Sequence, residues 1–376
     1  MSLWVETIRE GATLRALAPQ WERLLASRAE PSLCLTPEWL ITWWDVFGGN
    51  ERELFVLAIR EGGELVGLAP LQRMSHRYYG AIPFRRIAFL GTGEDEAEEI
   101  CSEYLDILAA PGREPEVAGA VWAALDEAAW DEVVLADIPE GSLAFATLRA
   151  EIARTAPAVE EVVPAEVTYV PLHNGWEGVL AALGGGTRYR IRRALQEFER
   201  HGELVTVTRA EEFAPWFEQL TALHQGRWEA RGRPGAFAAE RFRAFHRRFA
   251  AAALPRGWAR LLFLKWDGNV VAGHYLFEYA DRVWFYQAGI RPFAIAGTGP
   301  GMLLHALAIR GAAAQGLTEY DFLKGTSGHK QQWSRTTRRT LTARWARPSL
   351  RERLLAGVRW SAEASRPIRR MTGVGQ

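Results

Sequence analysis

The chain of 376 residues is poor in cysteine, lysine and methionine, and it holds no long apolar run. Its two cysteines, Cys34 and Cys101, are too few and too far apart for a disulfide framework or a thiolate metal cluster, so no metal is expected. No uninterrupted apolar stretch approaches the roughly 20 residues that cross a bilayer. The opening MSLWVETIRE carries acids where a secretory leader has its apolar core, which makes the cytoplasm the expected compartment. Of the 45 cationic residues only Lys265, Lys324 and Lys330 are lysine. Two of those three share the stretch DFLKGTSGHKQQW. There a compact ammonium that can lose its proton would serve chemistry closed to a guanidinium; coincidence is the alternative.

What is present is globular: 48% hydrophobic and 24% charged residues, in a length that suits two or three domains. The formal net charge of zero hides an asymmetry. From Ser334 onward eleven Arg face two Glu, a charge of +9, which leaves −9 for residues 1–333.

A pattern recurs along the chain. Residues 54–71, LFVLAI-REGGE-LVGLAPL, read as strand, glycine turn and strand, and residues 261–277, LLFLKW-DGN-VVAGHYLF, repeat that figure. After the first hairpin come YLDILAA, a helical run over 114–129 and the strand EVVLADI. After the second come VWFYQAGI, a helix over 301–315 and TEYDFL. A duplicated α/β unit explains the length, with the joint near 156–168, where Pro157 and Pro164 break the pattern. Residues 187–201, TRYRIRRALQEFERH, predict an Arg-rich helix ending at Gly202, and helices are also expected over 211–228 and 239–253.

The halves differ where their helices begin. The first starts with PGREPE, so Glu114 and Glu116 occupy the positive end of the helix dipole. The second starts with AGTGPGMLLHALAI: Gly297, Gly299 and Gly301, with Thr298 as a hydroxyl donor and no acid before Glu319. Small residues let a phosphate reach the backbone, and the dipole favours its charge. A Walker A loop is excluded, because Gly-Lys-Ser/Thr is missing. A dinucleotide fingerprint fits poorly, because Met302 replaces its last glycine and RPFAIA separates the loop from the strand.

These pieces carry a resemblance. RYRIRRALQEFERHGEL, GTGPGMLLHALAI and EYDFLKGTSGHKQQW resemble the GNAT acyltransferase superfamily, and within it the BioF2-like and cellulose-biosynthesis (CelD-like) acetyltransferases related to the Fem peptidyltransferases. The resemblance implies an α/β (α+β) chain of two tandem GNAT-like units, each a mixed, mostly antiparallel sheet flanked by helices. Their expected bounds are 1–165, without CoA, and 166–348, the acyltransferase, followed by a basic tail at 349–376. It implies acetyl-CoA or another acyl-CoA as co-substrate. Its pyrophosphate would lie at Gly297, Thr298, Gly299, Gly301 and Met302, and its pantetheine along Gln287 to Ile290.

Acyl transfer to an amine needs a base, an oxyanion donor and an acid for the leaving thiolate. The candidates are Asp321, Lys330, His274 and Tyr286. His274 also reads as a hydrogen-bonded core histidine and Tyr286 as a core aromatic. Asp321, in a strand of Tyr, Phe and Leu, needs a partner if buried, and the neighbouring lysines are the expected one. Lys324, His329 and Trp333 would bind substrate, and Arg188 and Arg192 would form a cationic helix edge for an anionic acceptor unless Glu197 and Glu199 pair with it. The expected acceptor is a small molecule or glycan precursor, such as an amino sugar of envelope or polysaccharide synthesis. Nucleic acid is expected only if the donor is aminoacyl-tRNA, as in the Fem relatives, and a noncatalytic role in polysaccharide assembly is the third reading. The tail places Leu350, Leu354 and Val358 on one helix stripe among arginines. That stripe could pack on the body, lie peripherally on the inner face of the membrane, or bind RNA phosphates.

Overall fold

In the computed structural model, which describes residues 3–49, 51–155 and 158–364, the chain changes sheets at both ends of its first hairpin. The strands are β1 Trp4–Ile8, β2 Arg52–Leu54, β3 Val56–Glu61, β4 Glu64–Ala69, β5 Leu71–Tyr78, β6 Ile82–Phe89, β7 Leu108–Ala109, β8 Glu132–Pro139, β9 Val159–Pro171, β10 Gly202–Val207, β11 Ala259–Trp266, β12 Asn269–Tyr279, β13 Arg282–Ile290, β14 Glu319–Lys324 and β15 Thr337–Ala346. A four-stranded sheet runs β1-β3-β4-β7, and an eleven-stranded one runs β10-β11-β12-β13-β14-β9-β15-β8-β6-β5-β2. Both expected hairpins form, antiparallel, as β3-β4 and β11-β12. The helices expected after them are Glu114–Glu127 and Pro300–Ala314.

Two features were not foreseen. YLDILAA yields only the two-residue β7, because Asp106 spends its carboxylate on the Ile107 N–H, Ser142 and Arg28. The place beside β8 goes to β6, which pairs with it in parallel. The long sheet also joins the halves. A boundary after residue 165 falls inside β9, which pairs along its length with β15 and near its end with β14, while β15 continues the sheet to β8.

Alternation along β11 separates two cores. Leu261 and Phe263 face the larger one, with Trp39, Phe217, Phe245 and Phe249; Leu262 and Leu264 face the smaller, with Leu303, Leu304 and Ile309 of helix Pro300–Ala314. Close packing brings helix Ala210–Glu229 onto the first face. Gly273 and Gly289 are register partners on β12 and β13. A Cβ on Gly289 would lie 2.6 Å from Leu223 Cβ and 2.8 Å from the Leu220 carbonyl oxygen.

Candidate active site at the parting of two strands

Parallel pairing of β13 with β14 lasts only for Arg282, Val283 and Trp284 against Glu319, Tyr320 and Asp321. Beyond that point β14 follows β9, while β13 stays with β12 to Ile290. A register shift at Tyr275/Leu276 leaves Tyr286 as an extra, bulged residue. Phe285 to Ala288 therefore have no strand on their β14 side and are only partly buried, although β13 lies mid-sheet. An unpaired strand edge of this kind can accept an extended ligand as another strand would.

Helix Pro300–Ala314 begins at the far end of that edge. Gly299 is its N-cap, no side chain caps it, and no acid stands in its first turn. A Cβ at Gly299 would meet nothing within 4 Å, whereas one at Gly301 would come within 2.5 Å of Ile290, so Gly301 serves packing and Gly299 open access. Gly297 has φ +79°, and Arg190 stands beside it, its Cδ 3.7 Å from where a Cβ would be. The equivalent helix in the first half has Glu114 and Glu116 in its first turn, with Arg113 bonded to Glu61 at 2.6 Å. The cation beside the glycine loop is Arg190, whereas Arg188 and Arg192, expected as a cationic edge for an anionic acceptor, have partners on the preceding helix. Arg188 donates to the Ala181 carbonyl (3.2 Å), and Arg192 lies 3.8 Å from Glu177. Met302 packs against the smaller core. Gly297, Thr298, Gly299 and Arg190 are fit to hold a pyrophosphate, and Gln287 to Ile290 a pantetheine chain.

The other wall of the parting is built from both halves. Asp321 is fully buried, but its partners are not lysines. The Tyr104 hydroxyl donates to Oδ2 (2.5 Å) and the Leu323 N–H to Oδ1 (2.7 Å). Lys330 instead donates Nζ to the carbonyls of Leu323 (2.9 Å) and Lys324 (2.6 Å), since the backbone there turns at positive φ (Leu323 +59°, Gly325 +103°) and offers both oxygens to one donor. Burial lowers its pKa. Lys324 pairs with Asp137 (2.7 Å), which raises its pKa against burial, and its N–H meets both oxygens of Glu103 (2.9 and 2.8 Å). Cys101, Tyr104, Asp137 and Leu323 all hold positive φ, so non-glycine backbone strain gathers at this junction.

Three carboxyls here are pushed up by burial: Asp321 to about 6, Glu94 to about 7 and Glu103 to about 8. Glu94 accepts from the Trp43 indole. It also lines a cavity of about 220 Å³ with Glu99, Cys101, Asp137 and Lys324. Sequence reasoning missed it. In GEDEAEEI it looks like one acid of a solvated loop, and only Trp43, buried on another element, distinguishes it.

The remaining candidates are placed as follows. His274 is a core residue: fully buried, its ring 4.3 Å from that of His305, with neither nitrogen hydrogen-bonded. Desolvation drives its pKa down to about 3, which keeps it neutral. The Tyr286 hydroxyl is committed, donating to the Ile100 carbonyl (2.5 Å) with His246 Nε2 at 3.0 Å. His329 is exposed beside Ser327 (3.0 Å between Nδ1 and Oγ), and Trp333 is buried. No cluster of side chains able to hold a metal occurs among the described residues.

Residues 185–331 match the family model described as an acetyltransferase (GNAT) domain. No curated protein matches by sequence. Among solved structures, FemX superposes with a TM-score of 0.59 at 12% identity, over 95% of this chain and 100% of its own. A conserved protein of unknown function from Bacteroides thetaiotaomicron gives 0.52 at 10%, over 91% and 100%. L-PGS from Bacillus licheniformis gives 0.50 at 15%, over 86% and 96%. At these identities the likeness is one of fold. The stretch that matches the GNAT acetyltransferase model, residues 185–331, is the one that holds the parted strands and the glycine loop, and the whole chain shares its fold with FemX.

Proposed function

We propose that the chain is an N-acyltransferase that takes its acyl group from acyl-CoA and passes it to an amine acceptor, an amino sugar or related precursor of the envelope or of a polysaccharide. The observation that carries the reading is the free edge of β13 ending at an uncapped, acid-free helix start with Arg190 beside it. Acyl-CoA would supply an activated carbonyl and a thiolate leaving group. Backbone N–H groups on the open side of β13 beyond Trp284 are suited to the carbonyl oxygen, as donors fixed before charge develops. The acceptor enters from the cavity beneath the Glu94 to Lys324 wall, where the carboxyl groups of Glu94 and Glu99 favour an ammonium group. Glu94, poised near neutral pH, takes the proton the amine must lose as the new C–N bond forms.

The test is titration calorimetry with acetyl-CoA and CoA, on the native chain and on Gly299→Glu. A Cβ at Gly299 meets nothing within 4 Å, and a carboxylate there sets negative charge at the helix start where a phosphate would bind. Binding by the native protein and at least tenfold weaker binding by the variant are expected. A folded native protein that gives no heat at millimolar ligand, yet turns over with charged tRNA, would transfer the donor assignment to an aminoacyl group carried on RNA.

A further inference from the structure

Helix Leu350–Ala364 meets the body with its polar side. Arg344 binds Glu352, Arg351 binds Asp131 (2.8 Å), Arg359 binds Glu161, and Leu355 is fully buried. At 100° per residue, Glu352, Leu355 and Arg359 share the inward face. The opposite face carries Leu350, Leu354 and Val358, which are 76%, 61% and 39% exposed. Such a helix is oriented against its own amphipathicity, with ion pairs inward and leucines toward solvent. Arg353 is exposed beside the leucines of that stripe, and the sequence after the helix adds Arg366, Arg369 and Arg370. A second element lies next to it. The β5-β6 hairpin, whose Tyr78 ring stands 5.4 Å from the Arg359 guanidinium, exposes Tyr79 (63%) and Arg77 at and near its tip.

We propose that this face is a docking surface for an anionic lipid bilayer, with the helix lying in the interfacial plane and Tyr79 at headgroup depth. The three apolar side chains need an apolar medium, and the arginines need phosphate. An anionic membrane surface offers both at the right relative depth, and a tyrosine at the rim suits the boundary between them. A nucleic acid offers the phosphate without the apolar layer. A second copy seated on this face would bring the exposed Arg353 and Arg77 of one chain against those of the other. The proposal is independent of which donor the active site takes.

Sedimentation of the full chain with vesicles tests it, comparing phosphatidylglycerol mixed with phosphatidylcholine against phosphatidylcholine alone. Binding to the anionic vesicles, weakened by salt, is expected. Leu350→Glu/Leu354→Glu should lower the bound fraction at least tenfold and Arg353→Glu severalfold, with the circular dichroism spectrum and the unfolding midpoint unchanged, because both leucines are outside the packed face. Failure of the native chain to sediment, or equal sedimentation of the double variant, overturns the proposal. So does a native dimer that the double variant converts to monomer, since a second copy would then be the occupant.

Discussion

At the scale of single residues, the junction of the two halves is built from groups that are costly to bury, each given a specific partner. Tyr104 and the Leu323 N–H keep Asp321, two backbone carbonyls keep Lys330, and Trp43 keeps Glu94. An isolated buried charge would neutralise itself by shifting its pKa, and the raised carboxyls show that tendency. Glu94 differs from the others in lining a cavity, so its substitution separates chemistry from architecture. Glu94→Gln should lower kcat by roughly 10²- to 10⁴-fold, the usual contribution of a general base. Donor affinity should stay as it was, and the rise of kcat through pH about 7 should disappear. Steady-state rates between pH 5.5 and 8.5, set beside calorimetric binding, check this; an unchanged pH profile in the variant excludes Glu94 as the base. The scarcity of lysine pointed to this junction, but partners were not readable, because Tyr104 lies 217 positions from Asp321 and Glu103 lies 221 from Lys324.

At the scale of elements, the parting of β13 from β14 depends on what fills the space on each face. Glycines on β12 and β13 let helix Ala210–Glu229 press on the sheet, and Ile290 against Gly301 seats the start of the next helix at the strand's end. Gly289→Ala should therefore destabilise the protein by about 1–3 kcal/mol, because the new methyl meets backbone atoms of a helix that cannot swing aside. Gly299→Ala, opening onto free space, should stay within about 0.5 kcal/mol. Urea midpoints of the two variants measure the contrast, and equal midpoints would mean that the helix is not seated as described. These elements were largely legible. Alternation and turn residues give both hairpins, and glycine punctuation gives the loop before residue 300. The bulge at Tyr286 was not, since it arises from pairing between strands and leaves no mark in either strand alone. The same holds for β5-β6 taking the place beside β8, because which edge a hairpin joins is decided by long-range contact.

At the scale of the whole molecule, one continuous sheet carries the halves together, and its burial of both acids and histidines fixes how stability responds to pH. Glu103 is nearly inaccessible, with its pKa raised to about 8 from an ordinary 4.5. Above the ordinary value the unfolded chain gives up this proton while the folded chain keeps it. The folded state then binds more protons, and stability falls as pH rises until the folded group also ionises near 8. His246 and His274 act with the opposite sign, their pKa values depressed to about 3 from 6.5. Below 6.5 the unfolded chain takes up protons that the buried imidazoles refuse, so stability is lost as pH falls toward 3. Between about 4.5 and 6.5 three raised carboxyls, Asp321, Glu94 and Glu103, oppose three buried imidazoles, His246, His274 and His305, which predicts a shallow dependence there, an acid limb below it and a decline from 6.5 to 8 above it. Since one pKa unit corresponds to about 1.4 kcal/mol, the alkaline decline should be on the order of a few kcal/mol. Denaturant unfolding at pH 4, 6 and 8 measures both limbs. Glu103→Gln should make the alkaline limb shallower while leaving the limb below about pH 4.5 as it was, and His274→Phe, which sets an apolar ring between Phe285 and His305, should make the acid limb shallower. A native protein more stable at pH 8 than at pH 6 would mean that Glu103 is ionised in the folded state and that its two contacts with the Lys324 N–H hold an anion.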